Sequence, residues 1–273
     1  MTHLDIVIPA HNEEHRIDAT LAAYRSVCAP TTGFLIALDD CSDRTGEIVA
    51  QHEREDCRVR SLRLPPLGKG GAIMEAFRTS DADLVAFVDA DCATPPSELL
   101  RLAEVVDDKG ADGAIATRWH PSAVIPGRRR RPLARRLASR LFAAAVRAAF
   151  RMPFHDTQCG AKVVRRELAQ RVVPLLSSRD FLFDVDLLLT ARALGFDLVE
   201  VPTVWVDREG SRVHPIHDGR RMAASLLRLW LHHRVLPVRR PAAPYPDEPI
   251  GPGPLRRAPE NFARDDAEPA DVG

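Results

Sequence analysis

The sequence predicts a doubly wound, mostly parallel α/β sheet with helices on both faces, built as one domain over residues 1–236. Three observations carry this. Short apolar, β-branched runs recur along the first half, and each is followed by a segment of helical period, four times by residue 108. Polar groups cluster where the runs stop, and in open α/β sheets the ligand crevice lies outside those strand ends. A chain of 273 residues with 45% apolar and 28% charged residues can bury the core that such a sheet needs.

Composition excludes several classes. The formal net charge is zero, so no global field attracts nucleic acid. Cys28, Cys41, Cys57, Cys92 and Cys159 have no CxxC spacing, which argues against a zinc site or a disulfide framework and for reduced thiols in the cytoplasm. Neither a signal peptide nor a run of roughly twenty apolar residues is visible. The expectation is a cytoplasmic protein, free or peripheral on the inner face of a membrane.

Leu4 to Pro9 is the first strand, and Ala10-His11-Asn12-Glu13-Glu14 leads into a helix through about Val27. Phe34 to Leu38 is the second strand, ending in Asp39-Asp40-Cys41-Ser42-Asp43. Ser42 or Asp43 can cap a helix to about Glu55, and Arg58 to Leu64 forms a third strand. Gly68-Lys69-Gly70-Gly71 then opens the helix Ala72 to Thr79. That turn either brings backbone amides to a phosphate, with Lys69 as counter-charge, or is a plain helix entry, since neither the Walker nor the GxGxxG spacing is present.

Leu84 to Val88 is a buried strand that stops abruptly at Asp89-Ala90-Asp91. Extended geometry continued through Asp91 would put both carboxylates on one side, as hard ligands for Mg²⁺ or Mn²⁺ and the phosphate oxygens that accompany them. The competing reading is a turn whose aspartates cap the helix beginning at Pro95-Pro96.

In order and spacing, IVIPAHNEE, LDDCSDRT, GKGGA and FVDADCATP resemble the family 2 glycosyltransferases with the GT-A fold. The resemblance continues through Asp156-Thr157-Gln158-Cys159-Gly160-Ala161-Lys162, Phe183-Asp184-Val185-Asp186 and Glu200 to Trp205, ending around Gly210-Ser211-Arg212. This later set is most similar to the dolichyl-phosphate β-glucosyltransferase branch. The resemblance implies that Pro9, Glu13 and Asp40 contact the donor nucleoside, that Lys69 meets its base or phosphates, and that Asp89 meets the ribose or the metal. Asp91 would coordinate the divalent ion bridging the diphosphate, and Arg212 would close over it. His11 stands where Tyr or Phe is frequent, beside the base, and Ala93 replaces a Gln that mannose synthases use near the metal.

Ala111 to Thr117 is the next strand. Arg118 after it either grips a phosphate bidentately or is an exposed loop residue. A basic segment, Arg128 to Arg131, precedes a helix from Leu133 to Arg151 on which Arg136, Arg140, Arg147 and Arg151 share one face, with Leu137, Leu141, Phe142, Ala145, Val146 and Ala149 around the other. Such a helix either lies on an anionic membrane surface or packs its apolar face on its own sheet. Asp156 to Lys162 is, by the resemblance, the acceptor-side loop with Lys162 available for phosphate. Ser178 to Leu194 is a helix on which Asp184 and Asp186 do not share a face, so that one aims inward. Leu198 to Val206 is the last strand, at an edge or bulge because of Pro202. His214 and His217 are loop histidines rather than metal ligands. Ala223 to Val235 is a short amphipathic helix, and residues 237–273 read as a disordered, proline-rich tail.

Residues 1–118 thus form a nucleotide-sugar half and 119–236 an acceptor half. The predicted reaction is a metal-dependent, inverting transfer of a hexose, from UDP-glucose first and GDP-mannose second, to a polyprenyl phosphate. A small hydroxyl acceptor is the alternative, and it needs a carboxylate base, Asp156 or Asp184. A nucleotidyltransferase is disfavoured because a Gly-rich loop with Arg and Lys is absent after the first strand. A non-catalytic binding protein is disfavoured by the intact Asp89, Asp91, Lys69 and Arg212.

Overall fold

The computed structural model describes residues 2–126, 133–206 and 224–233. The elements are β1 (Leu4–Ala10), α1 (Ile17–Val27), β2 (Gly33–Asp39), α2 (Thr45–Glu55), β3 (Val59–Leu64), α3 (Gly68–Thr79), β4 (Leu84–Val88), α4 (Pro96–Lys109) and β5 (Gly113–Thr117). They continue with α5 (Leu133–Phe150), β6 (Ala161–Arg165), α6 (Arg166–Val172), a 3₁₀ turn (Val173–Leu175), α7 (Phe183–Ala193) and β7 (Leu198–Pro202). A last helix, α8, spans 224–233.

The seven strands run in the order β3-β2-β1-β4-β6-β5-β7. All point the same way except β6, which is antiparallel to both its neighbours. Alternation along the strands feeds the two faces. Ile6, Ile8, Phe34, Ile36, Ala86 and Val88 pack beneath α1 and α4, with Leu21, Tyr24, Leu99 and Leu102. Val7, Leu35, Val85 and Phe87 pack on the other face against Ile73, Phe77, Leu168, Phe183 and Leu187 of α3, α6 and α7. Phe87 and Phe183 meet edge to face at 5.8 Å, a pair worth about 0.5–1.5 kcal/mol beyond its buried area.

The predicted architecture stands, with local corrections. β6 begins inside the segment read as a loop through Lys162 and runs on to Arg165. The sheet edge expected from Pro202 is β7, which ends there rather than at Val206; Val204 makes only a single bridge to Val124. The helix predicted from Ser178 starts at Phe183, and the helix predicted from Ala72 starts at Gly68. The apolar face of α5 packs on helices rather than on the sheet: Val146 is buried with Leu182, Val185 and Leu229. The segment Arg128–Arg131, the loop Gly210-Ser211-Arg212, His214, His217 and residues 237–273 lie outside the described residues.

Candidate active site

The crevice lies along the carboxyl edge of β1, β2 and β4, where the loops lace to one another. Asn12, in the left-handed region at φ 55, accepts the Ser42 and Asp43 amides at 2.8 and 3.2 Å, while the Glu13 amide donates to Thr45 Oγ1 at 2.7 Å. His11 Nδ1 meets the Asp39 carbonyl at 2.6 Å. Asp39 is buried and accepts the Leu67 amide at 2.7 Å, tying the entry of α3 to β2. Its neighbour Asp40 is exposed at the rim, also left-handed at φ 49. Pro9, His11, Glu13 and Asp40 therefore stand together on one edge.

Lys69, in the first turn of α3, reaches Asp89 Oδ1 at 2.6 Å. Burial opposes its charge, but Asp89, Asp184 and Asp91 outweigh that and raise its pKa above the ordinary value. The glycines around it serve close packing. A Cβ on Gly70 would strike Phe183 and the Arg179 carbonyl, so α3 can approach that segment only as glycine. The four residues Gly68 to Gly71 form the first turn of α3, with the Gly71 amide given to the Arg179 carbonyl.

Extended geometry does not persist past β4. Asp89 is followed by a turn at Ala90-Asp91, and Cys92 is left-handed at φ 53. The aspartates do not cap α4, whose first residue follows Pro95 with no side-chain cap. Asp91 Oδ1 instead accepts the Ala93 amide at 2.9 Å. Burial first, and then the Asp89 charge, push the Asp91 carboxyl up, against the pull of the Ala93 amide, Arg16 and Lys69. Asp91 is thus a carboxylate whose surroundings under-compensate its charge. That is the condition in which a divalent cation is welcome, with Asp89 as a second hard oxygen donor and substrate phosphate for the remaining positions. Among the described residues no group of three or more His, Cys, Asp or Glu is arranged to hold a metal by itself.

The two cations that the sequence offered to phosphate, Arg118 and Lys162, are paired with carboxylates. The guanidinium fork of Arg118 clasps Asp156, Nε to Oδ2 at 2.7 Å and Nη2 to Oδ1 at 2.8 Å, where the sequence offered a donor phosphate or an exposed loop. Trp205 and Trp119 flank it, with ring centres 4.9 and 5.8 Å from the guanidinium carbon. Arg140 of α5 lies on Trp119 at 5.6 Å. Burial raises the Asp156 carboxyl, but Arg118 more than reverses this and holds it below the usual range. Lys162 is buried in β6, donating to Asp184 Oδ1 and, at 2.9 Å, to the Cys159 carbonyl. Cys159, equally buried, has its thiol pushed up to about 12 by burial.

Asp184 and Asp186 are both buried, contrary to the expectation that one would face outward. Nearly every residue of α7 from Phe183 to Ala191 is buried, so helical spacing separates two inward directions rather than in from out. Gly160 is a site residue that sequence reasoning missed: a Cβ there would lie 2.6 Å from Asp89 Cγ. The chain entering β6 thus passes close enough to brace the Asp89 carboxylate; the sequence carried Gly160 within the motif from Asp156 to Lys162 without a role for it.

The family described as "Glycosyl transferase family 2" matches residues 5–173. Among named relatives, glycosyltransferase AglD of Haloferax volcanii is 30% identical over 86% of this chain, which spans only 38% of that protein. The dolichyl-phosphate beta-glucosyltransferase of Dictyostelium discoideum is 28% identical over 83% of this chain and 73% of its own length. The polyprenol monophosphomannose synthase of Mycolicibacterium smegmatis is 30% identical over 75% of this chain and 77% of its own. Among solved structures, glucosyl-3-phosphoglycerate synthase from Mycobacterium tuberculosis, crystallised with Mn²⁺, UDP and glucosyl-3-phosphoglycerate, superposes with a TM-score of 0.63 at 18% identity, covering 85% of this chain and 80% of that one. The sheet order, the loop constellation at its edge and these matches agree: the chain is a GT-A-fold enzyme of glycosyltransferase family 2.

Proposed function

We propose that this enzyme transfers a hexose, with inversion, from a nucleoside diphosphate sugar to the phosphate of a polyprenyl phosphate. One observation carries the acceptor assignment. Asp156 and Asp184, the carboxylates available as bases, are each held by a cation, the half-buried Arg118 and the buried Lys162. A hydroxyl acceptor needs a base to take its proton, whereas a phosphate, with a second pKa of about 6, is already ionised and nucleophilic. The polyprenyl and dolichyl phosphates in the names of the relatives point the same way.

On the donor side, Pro9, His11, Glu13 and Asp40 form the nucleoside edge, and Lys69 sets a positive charge beside Asp89 where the diphosphate leaves. A divalent cation, Mg²⁺ or Mn²⁺, held by Asp91 with Asp89 adjacent, supplies Lewis-acid neutralisation of that leaving group. In this reading Lys162, oriented by Asp184, presents residual positive field to the acceptor phosphate, while Arg118, oriented by Asp156, and Arg212 join the donor side. UDP-glucose is the first donor and GDP-mannose the second, following the glucosyltransferase relatives.

No described helix is long and apolar enough to cross a membrane. A surface contact with the lipid is supported by Leu141 on α5 and Leu227 and Leu231 on α8, which are 61%, 58% and 52% exposed, near the exposed arginines Arg140 and Arg147. In this reading the enzyme sits peripherally at the inner face of its membrane. On the same reading 1–118 is the donor half and 119–236 the acceptor half.

The test is transfer from radiolabelled UDP-glucose and GDP-mannose to a short-chain polyprenyl phosphate with Mg²⁺ or Mn²⁺, with Asp91→Ala alongside. Metal-dependent label in the organic phase that Asp91→Ala abolishes is the expected result. Donor turnover that puts label only into a soluble alcohol would overturn the acceptor assignment.

A further inference from the structure

The segment between the 3₁₀ turn and α7, residues 176–182, is the wall against which the Lys69 turn rests. The Gly71 amide donates to the Arg179 carbonyl at 3.1 Å, and Cβ atoms on Gly68 and Gly70 would fall 2.9 and 3.0 Å from that same oxygen. The wall is itself held by one fully buried carboxylate. Asp186 Oδ2 accepts the Ser177 amide at 2.7 Å, the Ser177 hydroxyl at 3.0 Å and the Ser178 amide at 2.9 Å. Its Oδ1 accepts from Thr190 Oγ1 at 3.3 Å and meets His233 Nε2 at 2.8 Å. Because a charged carboxylate only accepts, Nε2 of His233 carries the proton in that bond.

His233 comes from α8, which grips the wall a second time. Ser225 Oγ donates to Asp180 Oδ2 at 2.8 Å, and Asp180 Oδ1 accepts the Leu182 amide at 2.8 Å. Ser225, Leu229 and His233 are four residues apart and so share one helix face, with Leu229 buried between the two polar ties. The wall, α7 and α8 all lie beyond residues 5–173, the range matched by the family model.

We propose that Asp186 and His233 are positioning residues: by fixing the 176–182 segment they hold the Lys69 turn in register, so that α8, far along the chain, sets the geometry of the donor-diphosphate cation. This rests on Lys69 acting at the donor diphosphate. Neither residue touches the reacting atoms. Their effect runs through Arg179 and Gly71 to Lys69, and loss of the His233 bond leaves Asp186 with fewer donors to hold the two serine amides.

The test uses the full chain and the variants His233→Phe, which keeps an aromatic volume without the donor, His233→Gln, which restores a donor, Ser225→Ala, Lys69→Met, and Lys69→Met with His233→Phe. Two readouts are taken: affinity for UDP and GDP with Mn²⁺ by calorimetry, and hydrogen exchange of the peptide containing Gly71. His233→Phe is expected to weaken the better-bound nucleotide about tenfold, the scale on which loss of outlying hydrogen-bond partners weakens a site, and to speed exchange at Gly71. His233→Gln is expected to recover most of both, and Ser225→Ala to shift exchange in the same direction by less. In the Lys69→Met background His233→Phe should add no further loss, because the two act as one unit.

A folded His233→Phe protein with unchanged exchange at Gly71 overturns the proposal, as does a loss that adds fully to that of Lys69→Met. If Lys69→Met binds nucleotide as well as the parent protein while His233→Phe still loosens Gly71, the mechanical link stands and the donor role of Lys69 is what fails.

Discussion

Replacing Gly160 with Ala tests the claim that β6 braces the Asp89 carboxylate. The added Cβ would lie 2.6 Å from Asp89 Cγ and closer still to Oδ2, against the 3.4 Å at which ordinary contact begins, so the carboxylate carbon alone must withdraw by about 0.8 Å. Asp89 is joined to Lys69 at 2.6 Å, and a displacement of that size opens the ion pair or drags Lys69 with it. Misplacing a site group by about 1 Å can cost about a hundredfold in rate, while overpacking of this kind costs about 1–3 kcal/mol in stability. The assay is initial transfer rate from the labelled donor, with urea denaturation of the same preparations. Gly110→Ala is the companion. At φ 69 with nothing within 4 Å, it loses about 1–2 kcal/mol to backbone strain far from the crevice and should keep its rate. Gly160→Ala protein that transfers sugar at the parent rate would refute the bracing role.

Other expectations follow from the same geometry. Asp91→Asn should abolish metal-dependent transfer yet raise the Tm of the metal-free protein near neutral pH by about 2–4 °C. The Asp91 pKa is raised on folding, so its contribution favours the fold below the unfolded carboxylate pKa and is lost as pH rises through the folded value; the Tm gain of the Asn protein should therefore shrink as pH falls through that window, read from melting curves across pH. Lys162→Met leaves Asp184 buried without its cation and should cost about 3–5 kcal/mol in urea unfolding, much of it recovered when Asp184→Leu is added. Tyr24→Phe strips the hydroxyl that donates to the Thr94 carbonyl at 2.8 Å, just after the Asp91 turn, and should cost about 1–3 kcal/mol by the same measurement.

Much of the donor half was legible in the sequence, for a physical reason. β1, β2 and β4 are buried on both faces, so they read as unbroken apolar runs, and the polar residues that stop them fall on the crevice edge. The acceptor half was harder. β6 is five residues, Ala-Lys-Val-Val-Arg, and its lysine reads as loop chemistry until a buried partner 22 residues away is known. The pairing of Arg118 with Asp156 spans 38 residues and leaves no local pattern. For α7, spacing failed because a helix enclosed on all sides has no outer face against which to phase the aspartates. Whether the chain turned or stayed extended at Ala90-Asp91 was left open because a strand's end is set by where its hydrogen-bonding partner stops, and β6, pairing Ala161 with Val88, was unseen.

The reversed strand has a consequence for how such enzymes diversify. β5 delivers the chain to the crevice edge at Thr117, and β6, running the other way, begins at that same edge with Ala161 opposite Val88. Everything between, including Arg118, α5 and Asp156, therefore departs from and returns to one rim without a crossover. It is an excursion hung on two adjacent anchor points. Such a segment can be lengthened, recoloured in charge or exchanged wholesale while the hydrogen-bonded register of the sheet and the nucleotide edge on β1, β2 and β4 stay as they are. On the proposed function, one reversed strand separates the part that meets the sugar donor from the part that meets the molecule that receives it.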